Sequence, residues 1–211
     1  MTDFDGRDEG EGGDPMTVSP LVAPPPLMSP EEHAALARAP KLTDRPGWGL
    51  VKDIAGKVWN APNTALGLLY GGAGMAAGEV GHLLGLQKKA PGVQWRNNAL
   101  QFTNNPLGGV GALTLGNTTT WVGDPYDPTD SRWFENGQPA REPGTRHTYP
   151  EHETPHTYQG QQLGPLYLPS NIAGGVMGLL FDRDKDGHPN WHGPHNWNEA
   201  GPQSDPPRPW K

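Results

Sequence analysis

The sequence predicts an α+β fold, a small, mostly antiparallel sheet with a few helices and long loops. Three observations carry that expectation. Apolar residues recur at helical spacing over residues 48–59 and fill a glycine-dotted run over 64–86. Between residues 93 and 122 the period changes, and β-favouring residues such as Trp95, Phe102, Leu113, Leu115 and Trp121 take over, with a threonine run between them. Beyond residue 150, helix-start signals return.

Composition limits how much of the chain this fold can include. Only 33% of the 211 residues are hydrophobic, whereas 30 are Gly and 25 are Pro, so much of the chain must be loop or tail. Residues 1–45, acidic and glycine-rich and then proline-rich, read as a disordered arm. Inside it, Ser29-Pro30-Glu31-Glu32 starts a short helix over 34–39 that is marginal by itself. Residues 46–211 form the domain, in which eight tryptophans can anchor irregular segments.

In residues 48–59, Trp48, Val51, Ile54, Ala55 and Val58 define a short amphipathic helix that Asn60-Ala61-Pro62-Asn63 breaks. The run over 64–86 is close to membrane-spanning length, and Gly67/Gly71 and Gly74/Gly78 are small-x-x-x-small pairs. Glu79 and His82 oppose burial in lipid. The expectation is therefore a buried helical hairpin, broken near Gly71-Gly72, whose glycines let a neighbouring backbone approach. Residues 93–102 and 112–122 give two or three strands, with Gly116-Asn117 a tight turn or a bulge. Residues 124–144 form a long loop pinned by Tyr126, Trp133 and Phe134. A helix carrying His156 ends within 160–164, before Pro165. Ser170 then caps a second helix over 171–181, with Ile172, Val176, Leu179 and Leu180 toward the core and its glycines packed against the first.

Several function classes are disfavoured. A net charge of -7 leaves no basic stripe for nucleic-acid phosphates. The absence of cysteine excludes disulfides and thiolate zinc sites. The acidic amino terminus is not a secretory signal, so the expected location is the cytoplasm of the producing cell, with any export by a signal-peptide-independent route. Neither a Gly-x-Ser-x-Gly elbow nor a phosphate-cradling loop is present. Asp182, Asp184, Asp186 and Gly187 copy the opening of a calcium loop. Its twelfth position, however, is Gly193 instead of a bidentate Glu, and the stretch reads as a solvated acidic turn.

The chemistry concentrates in the last third, where six of the eight histidines lie between His147 and His195. His152, Glu153 and His156 spell His-Glu-x-x-His, which on a helix sets two imidazoles one turn apart with a carboxylate beside them. Such a set suits zinc: His152 and His156 as ligands, water at an open position, and Glu153 as the general base. Pro155 interrupts the motif, costing a helix about 3 kcal/mol. Three readings stay open: a helix through both histidines, a helix starting at Thr154-Pro155, and a helix starting at Pro150 and kinked at Pro155. The third ligand is sought among His188, His192, His195 and Glu199. His147, Tyr149 or His195 could steady an oxyanion or substitute as ligands, and Gln159 could orient a ligand from behind.

One set of segments resembles a known family. Asn104-Asn105-Pro106 with residues 111–117, the motif through Gln159, residues 163–168, Glu199-Ala200-Gly201-Pro202 and Pro206-Pro207-Arg208-Pro209-Trp210 are similar to the zincin-like metallopeptidase module found alone or at the carboxyl end of bacterial RHS-repeat and polymorphic-toxin-type proteins. Pro155 departs from the polar or charged residue usual at its position. The resemblance implies a zinc peptidase of toxin or effector type, with Glu199 as third ligand, a peptide or protein substrate, and an immunity or delivery protein as partner. The alternative expectation is a non-catalytic effector or interaction module, membrane-active through the glycine-rich residues 64–86.

Overall fold

The structure is a computed structural model that describes residues 47–109 and 111–210; the expected arm and its short helix lie outside them. The described chain is α+β. Helices α1 (Gly47–Trp59) and α2 (Ala61–Leu83) come first, then strands β1 (Gly92–Arg96), β2 (Ala99–Thr103), β3 (Ala112–Leu115) and β4 (Thr118–Trp121). A two-residue-per-strand hairpin follows, β5 (Phe134–Glu135) and β6 (Gln138–Pro139). Helix α3 (Tyr149–Leu163), a 3-10 turn (Gly164–Leu166) and helix α4 (Tyr167–Phe181) complete the regular structure.

The main sheet has the order β1-β2-β4-β3. It consists of two antiparallel hairpins, β1–β2 and β3–β4, joined by a parallel pairing of β2 with β4. Asn97 and Asn98 close the first hairpin with φ of 51° and 62°, the left-handed pair that a two-residue turn needs. Gly116-Asn117 is the tight turn of the second, not a bulge. This leaves β3 on an edge of the sheet, with α3 packed beside it.

Helix α2 corrects the expected hairpin, because it runs unbroken past Gly71-Gly72. Gly67, Gly71, Gly74 and Gly78 fall on one face at four- and three-residue steps, and all four are buried. A methyl at Gly71 would strike the Phe102 ring, and one at Gly74 the Asn105 amide. Contact with the sheet thus offsets the poor helix propensity of glycine. No helix among the described residues is long and apolar enough to cross a membrane.

Helix α4 departs from expectation in the same way. It begins at Tyr167, so Ser170 lies inside it and caps nothing. Ile172, Val176, Leu179 and Leu180 are exposed, whereas Gly174, Gly175 and Gly178 are buried. Those glycines receive the loop over 190–196, with Asn196 at Gly174 and the Trp191 ring at Gly175, and not helix α3.

The interior is correspondingly polar. Its buried hydrophobic side chains are Ala99, Phe102, Trp121, Trp133 and Tyr167, set among many buried amides and threonines. Those amides are satisfied: Asn60 Nδ2 donates to Asn117 Oδ1 (3.1 Å), Asn63 Nδ2 to the Gly164 carbonyl (2.6 Å) and Asn105 Nδ2 to the Gly71 carbonyl (2.9 Å). Buried amides paired in this way hold these elements in one register.

Candidate metal centre

Helix α3 starts where Thr148 caps it and Pro150 occupies its first turn. Glu151 reaches back to accept from the Thr148 N–H (2.5 Å) and hydroxyl (2.9 Å), a capping-box arrangement. Of the three readings of the motif, the helix through both histidines is realised: it begins at Tyr149, with Pro150 in its first turn, and continues through Pro155 to Leu163. Pro155 has no amide hydrogen and so gives no helical bond of its own. Its ring is buried and borders a small pocket shared with Glu151, Thr154 and Tyr158 and with Pro207 and Pro209 of the carboxyl-terminal segment.

His152 and His156 therefore sit one turn apart, with ring centroids 5.2 Å apart and Nε2 atoms 3.3 Å apart. Glu199 Oε2 lies 3.2 Å from His152 Nε2 and 3.6 Å from His156 Nε2. All three side chains are buried, and together they form a group that could hold a metal ion. Glu199 is delivered by the turn after Asn196, whose carbonyl accepts the Glu199 N–H (2.9 Å).

The surrounding hydrogen bonds decide where the protons are. Gln159 Nε2 donates to the carbonyls of Asn198 (2.7 Å) and Pro209 (2.5 Å), so its Oε1 must be the acceptor facing His156 Nδ1 (2.8 Å). Glu142 Oε2 accepts from His152 Nδ1 (3.0 Å) and His147 Nε2 (2.6 Å). With both Nδ1 atoms donating, neutral His152 and His156 turn bare Nε2 lone pairs toward one another and toward Glu199. Glu199 Oε2 is itself buried without a hydrogen-bond donor. Three electron pairs thus converge on one point, an arrangement that a proton shared with Glu199 or a metal ion would relieve.

Titration follows the same logic. Burial alone would lower His152, but the carboxylates of Glu142 and Glu199 push it up to about 10. His156 is likewise raised against its burial, by Glu199. Burial would raise Glu199, yet the His156 and His152 imidazoles hold it well below the usual carboxylate range. Glu142, despite burial, is brought down to about 2 by its His147 and His152 donors. Without a metal, protons supply the cation.

The remaining site residues separate by position. Glu153 is half-buried, and its Oε2 accepts from Thr114 Oγ1 on edge strand β3 (2.6 Å), which leaves the other carboxylate oxygen unengaged by that bond. Gln159 lies behind His156, its Oε1 2.8 Å from His156 Nδ1. His147 is fully buried against Glu142 (2.6 Å) and, with Glu142 and His152, forms a second group that could hold a metal ion, as an alternative ligand would. Tyr149 packs its ring edge-on against Trp133 (5.2 Å). His195 is also outside the donor group, held by Asp182 Oδ1 (2.6 Å), and His188 faces Asp184 (3.6 Å). Both carboxylates serve histidines and backbone N–H groups of their own loop; Asp184 is exposed, as in a solvated acidic turn, whereas Asp182 is buried. His192 stands nearer, its Nδ1 3.4 Å from Glu199 Oε2.

Sequence reasoning missed Glu142 and Thr114. Glu142 lies ten residues before His152 in a loop, and only the turn that pairs Arg141 with Thr148 folds it back onto the motif. Thr114 carried no signal beyond its place in a strand. No family model, curated protein or solved structure matches the chain.

Proposed function

We propose that the protein is a zinc-dependent hydrolase, most simply a peptidase of bacterial toxin or effector type, with His152, His156 and Glu199 as ligands. The observation that carries this reading is the convergence of the three lone pairs. Their separations of 3.3, 3.2 and 3.6 Å match the roughly 3.3–3.4 Å edge of a tetrahedron whose bonds are about 2.0–2.1 Å long. Nitrogen and carboxylate donors also suit zinc, and a three-residue set leaves a fourth position open.

When bound, zinc would polarise a substrate carbonyl and acidify water. The chain's own residues then have defined tasks. Thr114 holds one oxygen of Glu153, so the other can take the proton of the attacking water as its oxygen bonds to the carbonyl carbon. Glu153 returns that proton to the leaving amine nitrogen as the carbon–nitrogen bond breaks. Glu142 and Gln159 keep the two imidazoles in the tautomer that presents Nε2. The resemblance to zincin-like modules of polymorphic-toxin-type proteins supports the effector assignment and implies a peptide or protein substrate and an immunity or delivery partner.

Metal analysis and peptide hydrolysis test the reading. Purified protein should hold about one zinc, lost in the His152→Ala/His156→Ala double variant. Glu153→Gln should keep the metal and lose about 10²- to 10⁴-fold in rate. Zinc content that is unaffected by removing both histidines overturns the proposal.

A second reading is favoured by one observation, the apolar side chains exposed on α2 and α4, among them Leu66, Leu69, Ile172, Val176 and Leu180. These suit an interaction module that docks on a membrane surface or an apolar partner. Vesicle leakage that survives Glu153→Gln and disappears in a Leu66→Gln/Leu69→Gln variant would support it. Substituting Gly74 or Gly78 would not serve, because both are buried.

A further inference from the structure

The donor group is closed on the protein side and has one exposed neighbour. The side chains of His152, His156 and Glu199 are 7%, 6% and 3% exposed, and Glu142 and Gln159 stand behind the imidazoles. The side chain of His192 is 62% exposed, yet its Nδ1 approaches the same carboxylate oxygen that faces His152 and His156. Glu199 Oε2 thus has three imidazole nitrogens around it, at 3.2, 3.6 and 3.4 Å.

The backbone beneath His192 is held while its ring is not. Its N–H donates to Asn190 Oδ1 (3.0 Å), and its carbonyl accepts from Gln203 Nε2 (2.6 Å). The preceding Trp191 ring is seated on Gly175 of α4, where a Cβ would collide with it. An imidazole on so fixed a root can change direction by rotating its own two side-chain bonds, with no movement of the loop. His192 does not belong to the mutually close donor group, which contains His152, His156 and Glu199 only.

We propose that His192 is a displaceable fourth donor, the cap that covers the exposed side of the metal centre at rest and yields that position to water or a substrate carbonyl. This inference rests on the metal reading above. It separates two roles that the histidine-rich loop could have had: Glu199 is the permanent third ligand, and His192 the exchangeable one. Imidazole suits the task because its neutral nitrogen binds borderline metals well enough to close the site, and a single exposed side chain can leave without disturbing the three buried donors.

Cobalt(II) substitution reads the donor set directly and needs no substrate. The metal-free protein is loaded with cobalt, and its visible d–d absorption is compared with that of His192→Ala and His192→Gln. Both variants should still bind one equivalent through the three buried residues, with the band weakened and shifted as water replaces a nitrogen. Free imidazole should restore the wild-type band in His192→Ala and leave the wild-type protein unchanged. Zinc should also pass to a competing chelator faster from both variants, on the order of tenfold. Superimposable spectra for wild type and both variants, with no response to imidazole, overturn this proposal alone. A wild-type protein that takes up no cobalt overturns it together with the zinc reading.

Discussion

Helix α3 and helix α2 invert the usual relation between polarity and burial. Helix α3 carries His, Glu, Gln and Thr along its length, yet Glu151, His152, Pro155, His156, Thr157, Gln159 and Gly160 are all buried. Helix α2 is rich in leucine and alanine, and it buries only Asn63 and four glycines. Leu69 and Leu83 are 73% and 82% exposed. The difference shows what each helix is for. Helix α3 is a central strut whose polar groups are paired by Thr114, Glu142, Asn98 and the carboxyl-terminal loop. Helix α2 is a flat backing plate, and its glycine stripe lets the sheet approach its backbone.

The comparison is broken most sharply at the glycines. Gly71→Leu should destabilise the protein by about 3 kcal/mol or more, since the added side chain meets the Phe102 ring with no room to relax. Thermal or denaturant unfolding measures it. A change below about 1 kcal/mol would mean that α2 does not lie on the sheet as described.

In α3 the corresponding sensitive position is a polar one. Gln159→Ala removes the acceptor that orients His156 and the two donors that tie α3 to Asn198 and Pro209. On the zinc reading proposed above, affinity for the metal should fall about 10- to 100-fold, or about 1.4–2.8 kcal/mol. Competition with a chromophoric chelator reads it, and unchanged affinity would remove Gln159 from the support of the site.

How much of this was legible in the sequence follows from the same contrast. The motif placed His152, Glu153 and His156 correctly, because a four-residue spacing on a helix fixes a shared face whatever surrounds it. The structure also brings Glu199 and Gln159 to the two histidines. The buried faces of α2 and α4 were not legible from apolar spacing, because Val176, Leu179 and Leu180 face outward and the glycines inward. The usable signal was the glycine period itself, Gly67, Gly71, Gly74 and Gly78, which marks close backbone approach in water as it does in lipid. Glu142 lay beyond reach because loop contacts have no period.

A smaller effect is expected at that loop residue. In the metal-free protein, Glu142→Gln should cost about 1–2 kcal/mol at neutral pH, by weakening the bonds from His147 and His152. The sign of its pH dependence follows from the carboxyl, which is depressed from 4.5 to about 2. A depressed group contributes stability that is complete above its unfolded value and is lost as the pH falls through its folded one. The difference between wild type and variant should therefore be full above pH 4.5 and shrink toward pH 2. A difference that persists unchanged at the acid end would place the effect elsewhere.

The smallest effect is expected where a hydropathy plot would predict the largest. Leu69→Gln and Leu83→Gln alter the most apolar helical run of the sequence, but both side chains already stand in solvent. Each should change stability by no more than about 0.5 kcal/mol, the range of ordinary surface positions. Paired with Gly71→Leu in one unfolding series, they reverse the usual ranking, in which losing a leucine costs more than filling a glycine. A loss of about 2 kcal/mol or more at Leu69 would mean that this face is covered in the protein as it folds in solution, by a second copy or by another segment of the chain. Concentration dependence of the unfolding midpoint separates those two cases, since only association between copies makes it vary with protein concentration.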